Sequence, residues 1–222
     1  MIGAVLFDVD GTLIDSNDLH AAAWHETFSR FGIQIPLAEI RQQIGKGGDN
    51  LIPSLVSRDV EEAKHEELES FRSDLFKRDY LPRVVPFPCV RELFERLVGD
   101  GRKIVLASSA KGAEVDYYLN VIGAPDLVTA TTSADEVEHS KPCPDIFAAA
   151  LAKVAPLTPQ EAVVVGDSPY DVQAAKKLGL SVIGMRSGGF DDQVLIDVGA
   201  DELYDSPEDL LRNYESSLLC RE

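Results

Sequence analysis

The sequence contains little that would tie it to a membrane, to nucleic acid or to an oxidising compartment. Its 222 residues include three cysteines, Cys89, Cys143 and Cys220. They are widely spaced and odd in number, so they form neither a zinc pattern nor a disulfide framework and read as buried or incidental thiols. No stretch reaches the roughly 18 consecutive apolar residues of a membrane span. The N-terminus lacks a basic region ahead of an apolar one, and its short apolar run ends in Asp8, so no signal peptide is expected. Basic residues are scarce, 21 Lys and Arg against 38 Asp and Glu, for a formal net charge of -17. That balance argues against nucleic acid and anionic membranes as partners, since both reward a basic surface. It leaves an anionic substrate open, because local charge at a site outweighs the total. There is no internal repeat and no low-complexity tract, and nothing demands a dimer. A cytoplasmic monomer is the expectation.

What is present is enough for a sizeable core. Hydrophobic residues make up 45% of the chain, and the length suits one large domain or one domain with an insertion. The chain is organised around residues 4–15, AVLFDVDGTLID. Four apolar residues bounded by a turn signal suit a strand buried on both faces, as in a parallel sheet. Asp8 then sits at the carboxyl end of that strand, where open α/β sheets bind ligands. Side chains two residues apart in extended backbone point the same way, so Asp8 and Asp10 can reach one crevice. Two anions so close need a cation, a shared proton or both.

Helical spacing follows over 17–31, with Ser16 as N-cap and Gly32 as stop. Further helices are expected over 36–44, 51–56 and 61–80, separated by a flexible loop, Gly45-Lys46-Gly47-Gly48. No convincing strand lies between Leu13 and Tyr80. Pro82, Pro86 and Pro88 then mark a boundary or hinge. Beyond them helices at 90–98, 113–121, 145–154 and 170–178 alternate with strands at Lys103–Ala107, 127–130, 162–165 and 181–184. A last strand at Glu202–Tyr204 precedes a terminal helix from Pro207. Alternating strands and helices predict an α/β fold, a Rossmann-like parallel sheet with right-handed crossovers. The expected organisation is a discontinuous core of residues 1–15 and 82–222 with an all-helical cap, residues 16–81, inserted.

Three strands end in polar residues: Asp8 and Asp10, Ser108 and Ser109, and Asp167 with Asp171 four residues on. Lys141, in Ser140-Lys141-Pro142, adds a fourth element. Each has an ordinary explanation alone: Ser108-Ser109 as a helix cap, Lys141 as a solvated loop lysine, Gly166-Asp167-Ser168 as a turn. Their coincidence at one sheet edge points to a site. Carboxylates with oxygen-only ligands suit Mg²⁺, and a hydroxyl and a lysine can hold an anion beside it. The inventory fits phosphoryl transfer.

At these residues the chain resembles the phosphatase and phosphomutase branch of the haloacid dehalogenase superfamily. Asp8-Val9-Asp10-Gly11-Thr12-Leu13 is similar to its first motif, Ser108 after KIVLA to its second, Lys141 in SKPCPD to its third, and Gly166-Asp167-Ser168-Pro169-Tyr170-Asp171 to its fourth. The helical insertion resembles the cap of the subgroup with β-phosphoglucomutase and phosphoglycolate phosphatase. The resemblance implies a Mg²⁺-dependent phosphomonoester hydrolase acting on a small phosphorylated metabolite, a sugar phosphate above all. It implies Asp8 as nucleophile forming an aspartyl-phosphate, and Asp10 as proton donor to the leaving group and then activator of water. Asp10 must then start protonated, which crowding by neighbouring carboxylates is expected to favour. Mg²⁺ would be held by Asp8, the backbone carbonyl of Asp10, and Asp167, with Asp171 in support. Ser108 and the Ser109 amide would hold phosphate oxygens, and Lys141 would neutralise charge.

In the cap, His20 lies in a stretch, DSNDLHAAAW, like one in the mutase, and is either a substrate-site residue or a solvated helix histidine. Lys46 either meets a second group of the substrate or belongs to a surface loop. Two departures weigh against a phosphomutase, the nearest alternative: the match to the mutase's cap-loop arginine falls near Gly48, and Gly166 stands where it has an acidic residue. A receiver-like phospho-acceptor also uses an Asp cluster with Mg²⁺, but it is much shorter and needs no cap. A capped binding protein without turnover is the remaining alternative.

Overall fold

The computed structural model describes residues 1–221. Strand β1 (Ala4–Phe7) is the centre of a six-stranded sheet. With β4 (Lys103–Ala107), β5 (Ala130–Thr132), β6 (Ala162–Gly166), β7 (Ser181–Met185) and β8 (Glu202–Tyr204) it forms the order β5-β4-β1-β6-β7-β8, every pair parallel. The fold class expected from the sequence is the one observed.

The two-residue period of these strands builds two separate hydrophobic layers. Val5 and Phe7 of β1, Ile104 and Leu106 of β4, and Val163 and Val165 of β6 face one side. There they pack with Leu93, Phe94 and Leu97 of α5 (Val90–Gly99), with Val115 and Tyr118 of α6 (Gly112–Ile122), and with Leu210 of α10 (Pro207–Arg212). Ala4, Leu6, Val105, Ala107, Ala162 and Val164 face the other side. They meet Ile146, Phe147 and Ala150 of α7 (Asp145–Ala152), Val172 of α8 (Pro169–Lys176) and Leu195 of α9 (Asp192–Asp197). Burial on both faces is why these strands read as continuous apolar runs rather than alternating ones.

Four helices occupy the segment between residues 16 and 76: α1 (Asn17–Arg30), α2 (Leu37–Arg41), α3 (Gly48–Leu55) and α4 (Arg58–Leu75). They share a third cluster, with Ala21, Trp24 and Phe28 of α1 against Ile40, Leu51, Ile52 and Leu68. Several details differ from the sequence expectation, among them the strand expected at 127–130, which runs over Ala130–Thr132. The stretch from 13 to 80 does contain strand, β2 (Ile14–Asp15), which pairs antiparallel with β3 (Val85–Pro86). Two residues are too few to show periodicity, and Pro86 lacks the N–H that a longer ladder needs. The helix expected to run to Tyr80 instead ends at Leu75 and continues as a π-helical turn, Phe76–Tyr80. That turn sets Phe76 face to face with His20, ring centroids 4.1 Å apart. Ser16 stands at the N-cap position of α1, its carbonyl accepting from His20 N–H at 2.9 Å, but its side chain makes no capping bond; its hydroxyl is engaged elsewhere.

No helix among the described residues is long and apolar enough to cross a membrane. All three cysteines are free and partly buried. Phe94 is fully buried, its ring 5.3 Å from that of Phe7 behind the Asp8 strand. Phe94→Ala is expected to cost about 3–5 kcal/mol, measured as a lowered urea midpoint with an unchanged m-value.

Candidate active site

Topology decides where the chemistry collects. β1 is flanked by β4 on one side and β6 on the other, so the chain leaves the sheet in opposite directions from its centre. A crevice opens there at the carboxyl ends of the strands. Phe7 pairs with Leu106 and with Val165, which brings Asp8, Ser108 and Asp167 to the same edge. Asp8 N–H still bonds Val165 O at 2.8 Å, and Ser108 N–H bonds Thr132 O at 3.0 Å. The backbone holding these side chains is thus an extension of the sheet. Lys141 reaches the same edge from the loop before α7.

Asp8, Asp167 and Asp171 each present an oxygen to one point, the three atoms within 4.8 Å of one another, and all three residues are buried. Their one cation is Lys141, itself buried, whose ammonium bonds the Asp8 carboxylate and lies 2.6 Å from Asp171 Oδ1. The two carboxylates outweigh the cost of burial and raise the lysine further above its ordinary value, so it is charged. One lysine does not balance three acids. Burial, then Asp171 and Asp167, push Asp8 well above the usual carboxylate range despite Lys141. Burial and Asp171 push Asp167 up to about 7 against the hydrogen bonds of Asn17 and Thr12. A cluster short of positive charge, with oxygen as its only ligand atom, fits a hard divalent cation of the Mg²⁺ kind. The positions of its carboxylates are fixed by neighbours: Thr12 Oγ1 donates to Asp8 (3.3 Å) and Asp167 (3.1 Å), Asn17 Nδ2 to Asp167 (2.8 Å), and Ser168 Oγ to Asp171 (2.6 Å).

Asp10 lies outside this cluster. Ser16 Oγ donates to its Oδ1 at 2.6 Å, and His20 Nε2 lies 2.7 Å from the same oxygen. The other ring nitrogen, Nδ1, faces a guanidinium nitrogen of Arg72. Arginine has no acceptor, so Nδ1 accepts and Nε2 carries the proton that is donated to Asp10. Burial would raise Asp10, but the positive charge His20 carries when protonated, then the hydrogen bonds of His20, Ser16 and Tyr118, bring it down to about 2. This corrects one expectation. The crowding foreseen for Asp10 falls instead on Asp8 and Asp167, and Asp10 is held as the carboxylate by the cap histidine.

The remaining candidates take varied places. Ser108 is fully buried, and its Oγ accepts from Ala110 N–H at 3.0 Å rather than capping α6. Ser109 lines the crevice beside Asp8, and its hydroxyl is buried without a partner. Lys46 also lines the crevice, but its ammonium donates to Gln43 Oε1 (2.6 Å) and Ser54 Oγ (2.8 Å) and sits over the Tyr170 ring. The glycine loop around it is docked, not free: Gly47 N–H and Asn50 Nδ2 both donate to Ser140 Oγ at 3.0 Å, beside Lys141.

Sequence reading missed Thr12, Ser16 and Asn17 as site residues, although each lies within nine positions of Asp8; they pass as turn and cap residues. Arg72 and Tyr118 carried no local signal. One is a charge on a charged helix and the other an aromatic on an apolar face.

The comparisons agree with this geometry. The haloacid dehalogenase-like hydrolase family pattern matches residues 5–185. The chain is 31% identical over 211 residues to SUPPRESSOR OF QUENCHING 1 of Arabidopsis thaliana, covering 92% of this chain but spanning a fifth (20%) of that protein. It is 24% identical to the fructose-1-phosphate phosphatase YqaB of Escherichia coli, over 82% of this chain and 95% of that one. A hydrolase from Pseudomonas syringae superposes with TM-score 0.89 at 28% identity, covering 96% and 98% of the two chains.

The raised carboxyls set a pH signature. In chelator, the folded chain binds protons at Asp8 and Asp167 more tightly than the unfolded chain does. Their contribution to stability is therefore full below the ordinary carboxylate value near 3.8 and is lost as pH rises through about 7 for Asp167. The urea midpoint in chelator is expected to fall across that window, and to fall less in Asp167→Asn; an equal or steeper fall in the variant contradicts the assignment. Together, the pattern match over most of the chain and the carboxylate-lined crevice at the sheet's centre show that the chain belongs to the haloacid dehalogenase-like hydrolase family.

Proposed function

We propose that the protein is a Mg²⁺-dependent phosphomonoesterase acting on a small phosphorylated metabolite, a sugar phosphate in the first instance, through an aspartyl-phosphate on Asp8. The observation that carries this reading is the separation of roles among the carboxylates. Asp8 shares Lys141 and the acidic cluster, whereas Asp10, two residues on, is held by Ser16 and His20.

In this reading the core is residues 1–15 and 82–222, and residues 16–81 are the cap that closes over it. The metal would be held by oxygens of Asp8, Asp167 and Asp171 with the Asp10 carbonyl. When bound it supplies positive charge that lets Asp8 ionise and screens the approach of one anion to another. Asp8 Oδ attacks phosphorus, and the bond to the leaving alkoxide breaks. Lys141 and the Ser108 and Ser109 groups hold phosphoryl oxygens. Asp10, protonated before the cap brings His20 against it, gives that proton to the alkoxide. Asp10, now ionised and stabilised by His20 and Ser16, takes a proton from water as that water attacks the phosphorus of the aspartyl-phosphate. Phosphate leaves and Asp8 is regenerated. Because His20 stands on the cap and Asp10 on the core, cap closure favours the ionised, water-activating form of Asp10.

Two glycines favour hydrolysis over phosphate transfer to a second sugar hydroxyl. A side chain at Gly166 would begin 2.6 Å from Asp171 Cβ, and one at Gly48 would begin 2.0 Å from Glu69 Oε1. At Gly166 the acidic group that the phosphomutases carry would displace Asp171, whereas at Gly48 only the movable end of Glu69 stands in the way, so there the departure is the missing arginine itself.

Turnover of p-nitrophenyl phosphate with Mg²⁺ tests the mechanism. Asp8→Asn is expected to abolish phosphate release in a folded protein, Asp10→Asn to lower it by ~10²–10⁴, and EDTA to abolish it reversibly. Full activity in EDTA or in Asp8→Asn would overturn the reading. Isomerisation of β-glucose 1-phosphate, primed with the bisphosphate and yielding no free phosphate, would replace it with the mutase.

A further inference from the structure

Beyond the Asp8–Asp10 crevice, between cap and core, lies a second chamber of about 260 Å³. It is continuous with the crevice through shared walls: Trp24, Gly47, Gly48, Arg72, Ser109 and Glu114 line both. A substrate held by its phosphoryl group at Asp8 would place its alcohol here. The walls are acidic. Asp49, Glu69, Glu114, Asp135 and Glu138 face two cations, Arg72 and Lys111.

These groups are not equivalent. Asp135 Oδ2 accepts from Gly112 N–H at 2.8 Å and Asp49 Oδ2 from Ser140 N–H at 3.1 Å, so both are engaged by backbone. Glu69 is 3.9 Å from His65 and lies against Gly48. Arg72 is directed at His20 and stacked over Trp24 and Phe76. Glu114 is the exception. It stands in the first turn of α6, is 2% exposed, and lines both chambers. Among the described residues no donor reaches its carboxyl group and no Lys, Arg or His nitrogen lies within ion-pair distance. Its oxygens are not among the buried polar atoms left without a partner; they open to the chamber, where an acceptor with no protein donor can be met by a substrate hydroxyl. The substrate's alcohol is what this position can meet.

We infer that Glu114 is a specificity-determining residue that accepts hydrogen bonds from hydroxyls of the leaving alcohol, and that the chamber selects monophosphates of uncharged, hydroxyl-rich alcohols over substrates carrying a second anion. The inference rests on the phosphomonoesterase reading and deepens it. A second phosphate or a carboxylate would enter a chamber whose acids outnumber its cations, five to two, with one cation already directed at His20. Hydroxyls instead donate to the unpartnered carboxyl group. Selectivity in this chamber thus comes from one unmet acceptor and from like-charge repulsion.

The test uses the full chain with Mg²⁺ and four probes: p-nitrophenyl phosphate, a hexose monophosphate, the corresponding hexose bisphosphate, and 2-phosphoglycolate. Phosphate release from p-nitrophenyl phosphate establishes the hydrolase reading, and its absence is the separate failure of that reading. Given turnover, kcat/KM for the hexose monophosphate is expected to exceed that for either doubly anionic probe at least about tenfold. Glu114→Gln is expected to shrink that ratio by roughly ten- to a hundredfold, the value of one hydrogen bond to a charged group. Equal or better use of the doubly anionic probes by the unaltered protein overturns the inference. So does a Glu114→Gln variant that slows all four probes in proportion, which is the mark of a merely structural residue. If that variant does not fold, Glu114→Asp replaces it, and the unaltered protein's ratio stands as a test by itself.

Discussion

Three buried carboxylates meeting one lysine is the constraint on which the rest of this structure depends. Asp8, Asp167 and Asp171 come to one point because they end or follow adjacent parallel strands, and Lys141 alone offsets them. Such a cluster is unfavourable as it stands. Two of its acids have raised proton affinity in consequence. The surrounding donors, Thr12, Asn17 and Ser168, fix each carboxylate without adding charge. What the set lacks is positive charge delivered to oxygen, which a divalent cation and a phosphoryl group being transferred to Asp8 would both exploit. Strain of this kind is tolerated at functional sites when the scaffold over-determines it, and a six-stranded sheet with both faces packed is such a scaffold.

The second constraint is that the site is shared between two layers of the chain. The core contributes the acids and the lysine; the helical segment contributes His20, Trp24 and Arg72. Asp10 is where they meet. Its low proton affinity comes from the cap histidine, whose orientation is set by Arg72 on one side and by stacking on Phe76 on the other. In the proposed function, the proton-transfer group on the core would therefore be tuned by whether the cap is in place. The docking of the Gly47 loop and Asn50 on Ser140, one residue from Lys141, gives cap and core a second contact next to the chemistry.

Much of this was legible in the sequence because the core residues sit at strand ends, where a short apolar run stopping in a polar residue is a local signal. Asp8, Ser108 and Asp167 are of that kind, with Asp10 two and Asp171 four residues beyond a strand-end acid, and the α/β alternation follows from the same runs. The parts that were not legible depend on tertiary contact. Ser16 has the chemistry of an N-cap but donates to Asp10, because β2 turns the chain back across the crevice. Arg72 and Glu114 lie in regular helices whose charge pattern looks solvent-directed until cap and core are brought face to face. The π-helical turn that aims Phe76 at His20 leaves no periodicity of its own. Proton affinity was the least legible property. The spacing of Asp8 and Asp10 suggests mutual repulsion, whereas the histidine ten residues on dominates Asp10.

The central claim is that Asp8, not water, is the group that first takes the phosphoryl from the substrate. Rapid acid quench during turnover of a ³²P-labelled phosphomonoester, followed by peptide mapping, tests it most directly. Label on the peptide containing Asp8, hydroxylamine-labile and absent from Asp8→Asn, is the result predicted. Steady turnover with no label on the protein at any quench time, together with retention of activity in Asp8→Asn, would contradict the account.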